Sequence, residues 1–262
     1  MKKKIVAFAM VFALAAVAVV GGSLAYFTDT DNKTNTFTAG GVAIDLIEQQ
    51  VNEDGTELED FKQDQILLPI VGSAQGDKNE FGQPVAANYI DKMVTVENTG
   101  KSDAWVRAYF AIPSALDDGA ETYNAGLNIL HFNFGNVMAE DGLRTTYENE
   151  WKWKDDNGAW KSYVTTIDGV SYNVYYADYY KPLPADKSTV QFVSGVYLDK
   201  DVDMNSDGNY TITRNGETKV IENFDGTVSC PVFAVAVQAA GFDNASEAVD
   251  AAFGVNFDPF TK

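Results

Sequence analysis

The sequence predicts an all-β chain: a jelly-roll-like antiparallel β-sandwich with inserted hairpins and one or two short helices. Two observations carry this. Asn-Gly and Asp-Gly pairs punctuate the chain, at Asp54-Gly55, Asp118-Gly119, Asp141-Gly142, Asn157-Gly158, Asp168-Gly169, Asp207-Gly208, Asn215-Gly216 and Asp225-Gly226. Such pairs supply the positive φ angles of tight hairpin turns. Several are flanked by alternating apolar and polar residues, whereas helix-spaced apolar patterns are scarce.

Taken in order, Val42-Ala43-Ile44-Asp45-Leu46 alternates and predicts the first strand. Residues 47–65 are acidic and Gln-rich, and residues 72–87 are rich in Gly, Asn, Gln and Asp; both read as loops. Met93 to Glu97 and Ala104 to Ile112 read as core strands on either side of an Asn98-Thr99-Gly100 turn. A weaker helical pattern covers Thr122 to Leu130. Trp151 to Lys154, Trp160 to Thr166 and Val170 to Tyr180 predict a three-stranded meander with an aromatic face. A further hairpin joins Tyr210–Thr213 to Thr218–Ile221 across Asn215-Gly216. Val232 to Ala240 is apolar at nearly every position, as in a strand covered on both faces. Asn244 to Gly254 predicts a helix, with Asn244 as cap, Glu247 as capping-box partner and Gly254 as stop. Its Ala248, Ala251 and Ala252 would face a sheet edge. These elements make one sandwich domain over 42–262, and the stretch from 113 to 227 carries no further motif.

The N-terminus reads as a targeting segment. Lys2, Lys3 and Lys4 precede an apolar run from Ile5 to Val20, then Gly21-Gly22 and the small-residue pattern Ser23-Leu24-Ala25. The run is shorter than the roughly 20 residues of a membrane-spanning helix. Residues 1–25 are therefore expected to be a signal peptide cut between Ala25 and Tyr26. An uncleaved anchor, lengthened by Leu24, Tyr26 and Phe27, is the alternative. Loss of the three lysines takes the formal charge from −19 to −22. A surface that acidic repels nucleic acid. The single cysteine, Cys230, excludes an intramolecular disulfide and suits a buried core position.

The segments Gly21-Gly22-Ser23-Leu24-Ala25-Tyr26-Phe27-Thr28-Asp29-Thr30-Asp31, Asn35-Thr36-Phe37-Thr38-Ala39-Gly40 and Val42-Ala43-Ile44-Asp45-Leu46 resemble the TasA/camelysin family. Two later pieces are similar as well: Val94-Thr95-Val96-Glu97-Asn98-Thr99-Gly100 with Asp103-Ala104-Trp105-Val106-Arg107, and Ala236 to Asp243. The resemblance implies a leader cut by a SipW-type signal peptidase and a place in the extracellular matrix or on the surface of a Gram-positive bacterium. It implies one of two roles. TasA-like members are biofilm matrix proteins that form fibres; camelysin-like members are classed as surface metallopeptidases. The implied partners are further copies of the chain, the signal peptidase, and matrix polysaccharide or other matrix proteins. Fibre formation has a physical route. Residues 26–46 hold a Thr-rich, β-permissive segment and the first strand, with Tyr26, Phe27 and Phe37 as anchors. Such a segment can complete a neighbour's sheet or pair at home. Head-to-tail donation does not close on itself and so yields filaments.

The catalytic alternatives lack their residues. A zinc peptidase of the HExxH type needs two histidines, and the chain has one, His131. No GxSxG, P-loop or dinucleotide fingerprint occurs. No cofactor is expected, with calcium as a weak exception. Asp201, Asp203, Asn205 and Asp207 crowd carboxylate and amide oxygens before Gly208. From Asp203 they match the first half of an EF-hand-type loop, but the twelfth position is Arg214. An acidic hairpin turn is the simpler account of the same residues. The tryptophans and tyrosines of 151–180 are either cross-strand stabilisers or a platform for sugar rings, which would make the chain a carbohydrate-binding or adhesive module.

Overall fold

The computed structural model describes residues 19–21, 41–63, 65–117, 128–134 and 150–261. The expected cleavage-site residues Ser23, Ala25 and Tyr26, the arm residues Phe27 and Phe37, the Asp118-Gly119 and Asp141-Gly142 turns and most of the 122–130 helix lie outside them.

The strands are β1 (Val19–Gly21), β2 (Ile44–Val51), β3 (Leu58–Asp60), β4 (Ile90–Asn98), β5 (Ala104–Pro113), β6 (Leu130–Asn133), β7 (Trp151–Lys152), β8 (Ser162–Ile167), β9 (Val170–Tyr179), β10 (Lys187–Ser188), β11 (Val193–Leu198), β12 (Val202–Met204), β13 (Tyr210–Arg214), β14 (Glu217–Val220) and β15 (Val232–Gln238). One helix, α1 (Ala245–Phe253), follows. Two six-stranded antiparallel sheets form the sandwich. The first runs β1-β15-β5-β9-β7, with β8 also on β9; the second runs β3-β2-β4-β11-β6, with β10 on β4. A small third sheet, β12-β13-β14, is appended.

The sequence periodicities explain the layering. In β5, Ala104, Val106, Ala108, Phe110 and Ile112 enter the core between the sheets, beside Ile44, Val94, Val96 and Val196. The alternate residues Trp105, Tyr109 and Ala111 face outward, yet they are buried too, in a second core. That outer core is closed by Ala245, Ala248 and Val249 of α1, with Phe253 and Phe257 packed against it. β15 is likewise covered on both faces, with Ala234 and Ala236 inside and Phe233, Val235 and Val237 under the helix. Its continuous apolar run follows from that double burial. The helix lies on the sheet's face rather than its edge, and Ala251 is exposed. A face offers more apolar area to cover than an edge does.

Tight turns fall where the sequence puts them at Asp168-Gly169 and Asn215-Gly216, where both residues of each pair have positive φ. Three segments differ from the sequence reading. Residues 47–51 extend β2, and 58–60 form β3, so the stretch expected as loop is a hairpin around Gly55. The aromatic segments do not form a simple meander. β7 and β8 both pair with the same side of β9, and the segments between them meet through the Lys154–Trp160 bridge and the Lys161 N–H bond to the Trp153 carbonyl. Leu130, expected to end a helix, begins β6.

Candidate assembly edge and the charged clusters

The described parts of the family resemblance, residues 42–46, 94–100 with 103–107, and 236–243, converge at one end of the sandwich. Asn98 ends β4 and is fully buried. Its amide donates to the Ser102 and Leu183 carbonyls at 2.9 and 2.8 Å, and its Oδ1 accepts from the Gly100 N–H at 3.0 Å. This corner grips the chain just before β2. Gly100 N–H donates to the Ala43 carbonyl at 3.1 Å, and Lys101 N–H to the Gly41 carbonyl at 2.6 Å. A Cβ on Gly100 would lie 2.5 Å from the Gly41 oxygen and 2.6 Å from the Ala43 nitrogen, so only glycine permits the approach. The third piece closes the same end. Val237 and Gln238 pair with Trp105 and Ala104, Ala239 N–H donates to the Asp103 carbonyl at 2.8 Å, and the Trp105 indole donates to the Phe242 carbonyl at 3.3 Å. A shallow depression of about 480 Å³ lies between Ser102, Asp103 and Gln238–Ala240.

β15 has β5 on one side. On the other side it pairs antiparallel with β1, Val19 opposite Ala236, Val20 opposite Val235 and Gly21 opposite Ala234. Val19–Gly21 belongs to the stretch that the sequence reads as leader. The edge of β15 therefore accepts an added antiparallel strand, through backbone groups that carry no side-chain code of their own.

Charges are organised in three places. On the outer face of the first sheet, Arg107 is held by Asp178, with Nε to Oδ1 at 2.6 Å and Nη2 to Oδ2 at 3.3 Å. Its Nη1 reaches Asp250 of α1 at 3.2 Å and its Nη2 reaches Ser246 at 3.1 Å, while Lys161 meets Asp178 at 2.6 Å. Burial works against the Arg107 charge, but Asp178 more than offsets this and holds the guanidinium above its ordinary range. In the inter-sheet core, Lys92 of β4 meets Glu48 of β2 at 2.8 Å. At the junction with the third sheet, His131 Nε2 lies 3.0 Å from Asp199, and Arg214 bridges Asp199 at 2.6 Å and Asp201 at 2.5 Å. Burial works against the Asp199 carboxylate, yet hydrogen bonds from His131, Arg214 and the Asp201 N–H hold it well below the usual carboxylate range. The His131 ring stacks on Tyr197 with centroids 5.0 Å apart.

The calcium expectation falls on this junction. Asp201 is paired with Arg214 and Lys200. Asp203 Oδ1 accepts from the Met204 N–H at 2.7 Å. Asn205 Oδ1 accepts from the Asp207 and Asn209 N–H groups at 3.0 and 2.9 Å, closing its own turn. Among the described residues no three His, Cys, Asp or Glu side chains converge as a metal cage. The aromatic residues of 151–180 are mostly interior. Trp151 and Trp153 are buried in the inter-sheet core with Tyr175 and Tyr179, and Trp153 stacks on Phe192 at 4.4 Å. Cys230 is fully buried, and burial pushes its thiol up, as expected of an inert core residue.

Residues 1–62 match the family model described as Camelysin metallo-endopeptidase. The match covers the N-terminal 43 residues, β2 and β3, and ends before β4. No curated protein and no solved structure matches the chain. The peptidase activity in the family's description finds no fitting metal centre among the described residues. The sole histidine is already engaged with Asp199 and stacked on Tyr197.

The sequence reading missed Lys92, Glu48, Arg107 and Asp178. The first pair had a visible signal. Lys92 falls in step with Ile90, Val94 and Val96, and Glu48 in step with Ile44 and Leu46, so alternation alone puts both on the core face. The second pair lies 71 residues apart in sequence and had none.

Proposed function

We propose that the chain is a secreted structural protein of the extracellular matrix or cell surface of a Gram-positive bacterium, and that it assembles into fibres by N-terminal β-strand donation. The observation that carries this reading is the edge of β15, which is occupied by Val19–Gly21, three residues within the stretch read as leader. Signal peptidase cleavage between Ala25 and Tyr26 would remove that strand and leave an unpaired edge, a template for another strand. Residues 26–40 of a second copy are the natural donor, because the corner at Asn98–Ser102 fixes the point from which the arm departs. Each copy then offers one arm and one edge, and the contact propagates without closing. The camelysin match over 1–62 supports the same surface-protein class.

The test begins with N-terminal sequencing of the exported protein and electron microscopy of the same sample. Fibres should form after leader removal and be absent when residues 26–38 are deleted. A synthetic peptide of residues 26–38, added in excess, should cap the β15 edge and shorten the fibres. Persistent fibres from the deletion variant would sink the reading.

A further inference from the structure

The Lys92–Glu48 pair differs from every other ion pair described in the molecule by its surroundings. Both side chains leave neighbouring strands on the core side. Glu48 stands opposite Val94, which makes Lys92 its diagonal neighbour. Lys92 is 1% exposed and Glu48 is 9% exposed. The Phe61 ring lies 4.3 Å from Nζ. Glu48 Oε1 is buried and has no hydrogen-bond partner. An amine and a carboxyl thus touch in a buried setting beside an aromatic ring, with one carboxyl oxygen unsatisfied. Such a pair is costly to keep as two charges.

We propose that Lys92 and Glu48 condense into an intramolecular amide that covalently joins β2 to β4. The chemistry is a dehydration. A proton passes from the Lys92 ammonium to the Glu48 carboxylate across the 2.8 Å contact, leaving a neutral amine and a neutral acid. Nζ attacks Cδ of Glu48, and a tetrahedral intermediate forms. The Glu48 hydroxyl leaves with the second Nζ proton as water, and the Nζ–Cδ amide remains. No oxidant, reductant or co-reactant enters. Enforced contact supplies the effective concentration, and the dry core disfavours the reverse hydrolysis.

The Lys161–Asp178 contact shows why burial and proximity alone are insufficient. It is shorter, at 2.6 Å, but Arg107 grips both Asp178 oxygens. A carboxylate with both oxygens held by a guanidinium is a poor electrophile. Among the described residues Glu48 has no arginine partner.

The amide has a mechanical use if the chain forms fibres. Tension on the N-terminal arm enters at residues 41–43 and runs directly into β2. A covalent tie at its fifth residue stops that strand from peeling off β4. This use rests on the fibre reading; the amide does not, and its test needs no fibre.

The test is denaturing intact mass spectrometry of the exported protein, after its N-terminus has been sequenced. The expected mass is short of the sequence mass by one water. Digestion should release one branched peptide that joins the segments bearing Glu48 and Lys92. The Lys92→Met and Glu48→Ala variants should both regain the full mass. A folded wild-type chain at full sequence mass overturns the proposal. So does a water-short chain that yields only linear peptides, since Asp-Gly sites lose the same mass on forming succinimides. A branch at any other lysine also overturns it.

Discussion

Two buried charge sites, one on the outer face of the first sheet and one in the core between the sheets, solve the same problem differently. On the outer face, Arg107, Asp178, Lys161, Asp250 and Ser246 share charge-assisted hydrogen bonds, so the guanidinium and its carboxylates each have several partners. In the inner core, Glu48 has one lysine and an unsatisfied oxygen. A network that answers every lone pair keeps its ions and can staple a helix to a sheet. An ion pair in an apolar core whose carboxyl keeps an unsatisfied oxygen is less well answered, and loss of both charges by bond formation relieves it.

The outer network should be the costlier to break. Arg107→Leu leaves Asp178 and Asp250 without their shared cation, at a cost of about 3–5 kcal/mol. The shift of the urea midpoint measures this, and loss of aromatic near-ultraviolet circular dichroism should follow as α1 lifts from Tyr109 and Trp105. In the core, Lys92→Met strands the Glu48 carboxyl and should cost about 1–3 kcal/mol. Adding Glu48→Leu removes the stranded group, so the double variant should recover part of that loss in the same titration. A double variant weaker than the single would reverse this ordering.

A third charged group, nearer the surface, sharpens the contrast through pH. Asp199 is held as an anion by His131 and Arg214, so its folded-state pKa is depressed. A depressed carboxylate lends stability above its unfolded pKa, near 4, and that stability is lost as the pH falls further. Below about pH 4 the β12–β14 sheet should loosen first. Hydrogen exchange at residues 202–220 should rise before exchange in β5 or β15 does. The smallest effect belongs to the helix that carries Asp250. Asn244 Oδ1 accepts from the Glu247 N–H at 2.9 Å, and Asn244→Ala should cost about 1 kcal/mol in the same urea titration.

Much of the fold was legible because its signals are local. The hairpins at Asp168-Gly169 and Asn215-Gly216 depend on the φ angles of two residues each, and the helix at Ala245–Phe253 carries its cap and stop beside it. The 47–65 stretch was misread because polarity was taken for disorder of structure. Its Gln50 is in fact a strand residue whose Oε1 accepts from the Lys62 N–H and the Gln65 amide. The aromatic residues were recognisable as a group, but their burial was not, because Trp153 owes its concealment to Phe192, just before β11, and Phe132 of β6, both distant in sequence.

The sequence by itself determined the antiparallel β character, the positions of the turns, the capped helix, the leader-like N-terminus and the lack of histidines for a zinc peptidase of the HExxH type. Each is a property of neighbouring residues or of simple counting. Only the tertiary structure decided that residues 42–46, 94–107 and 236–243 meet at one corner, that β15 presents an edge to an added strand, and that Lys92 touches Glu48. These are pairings between strands far apart in the chain. Their register is set by the packing of two sheets over a shared core, and no local pattern encodes which strand lies next to which.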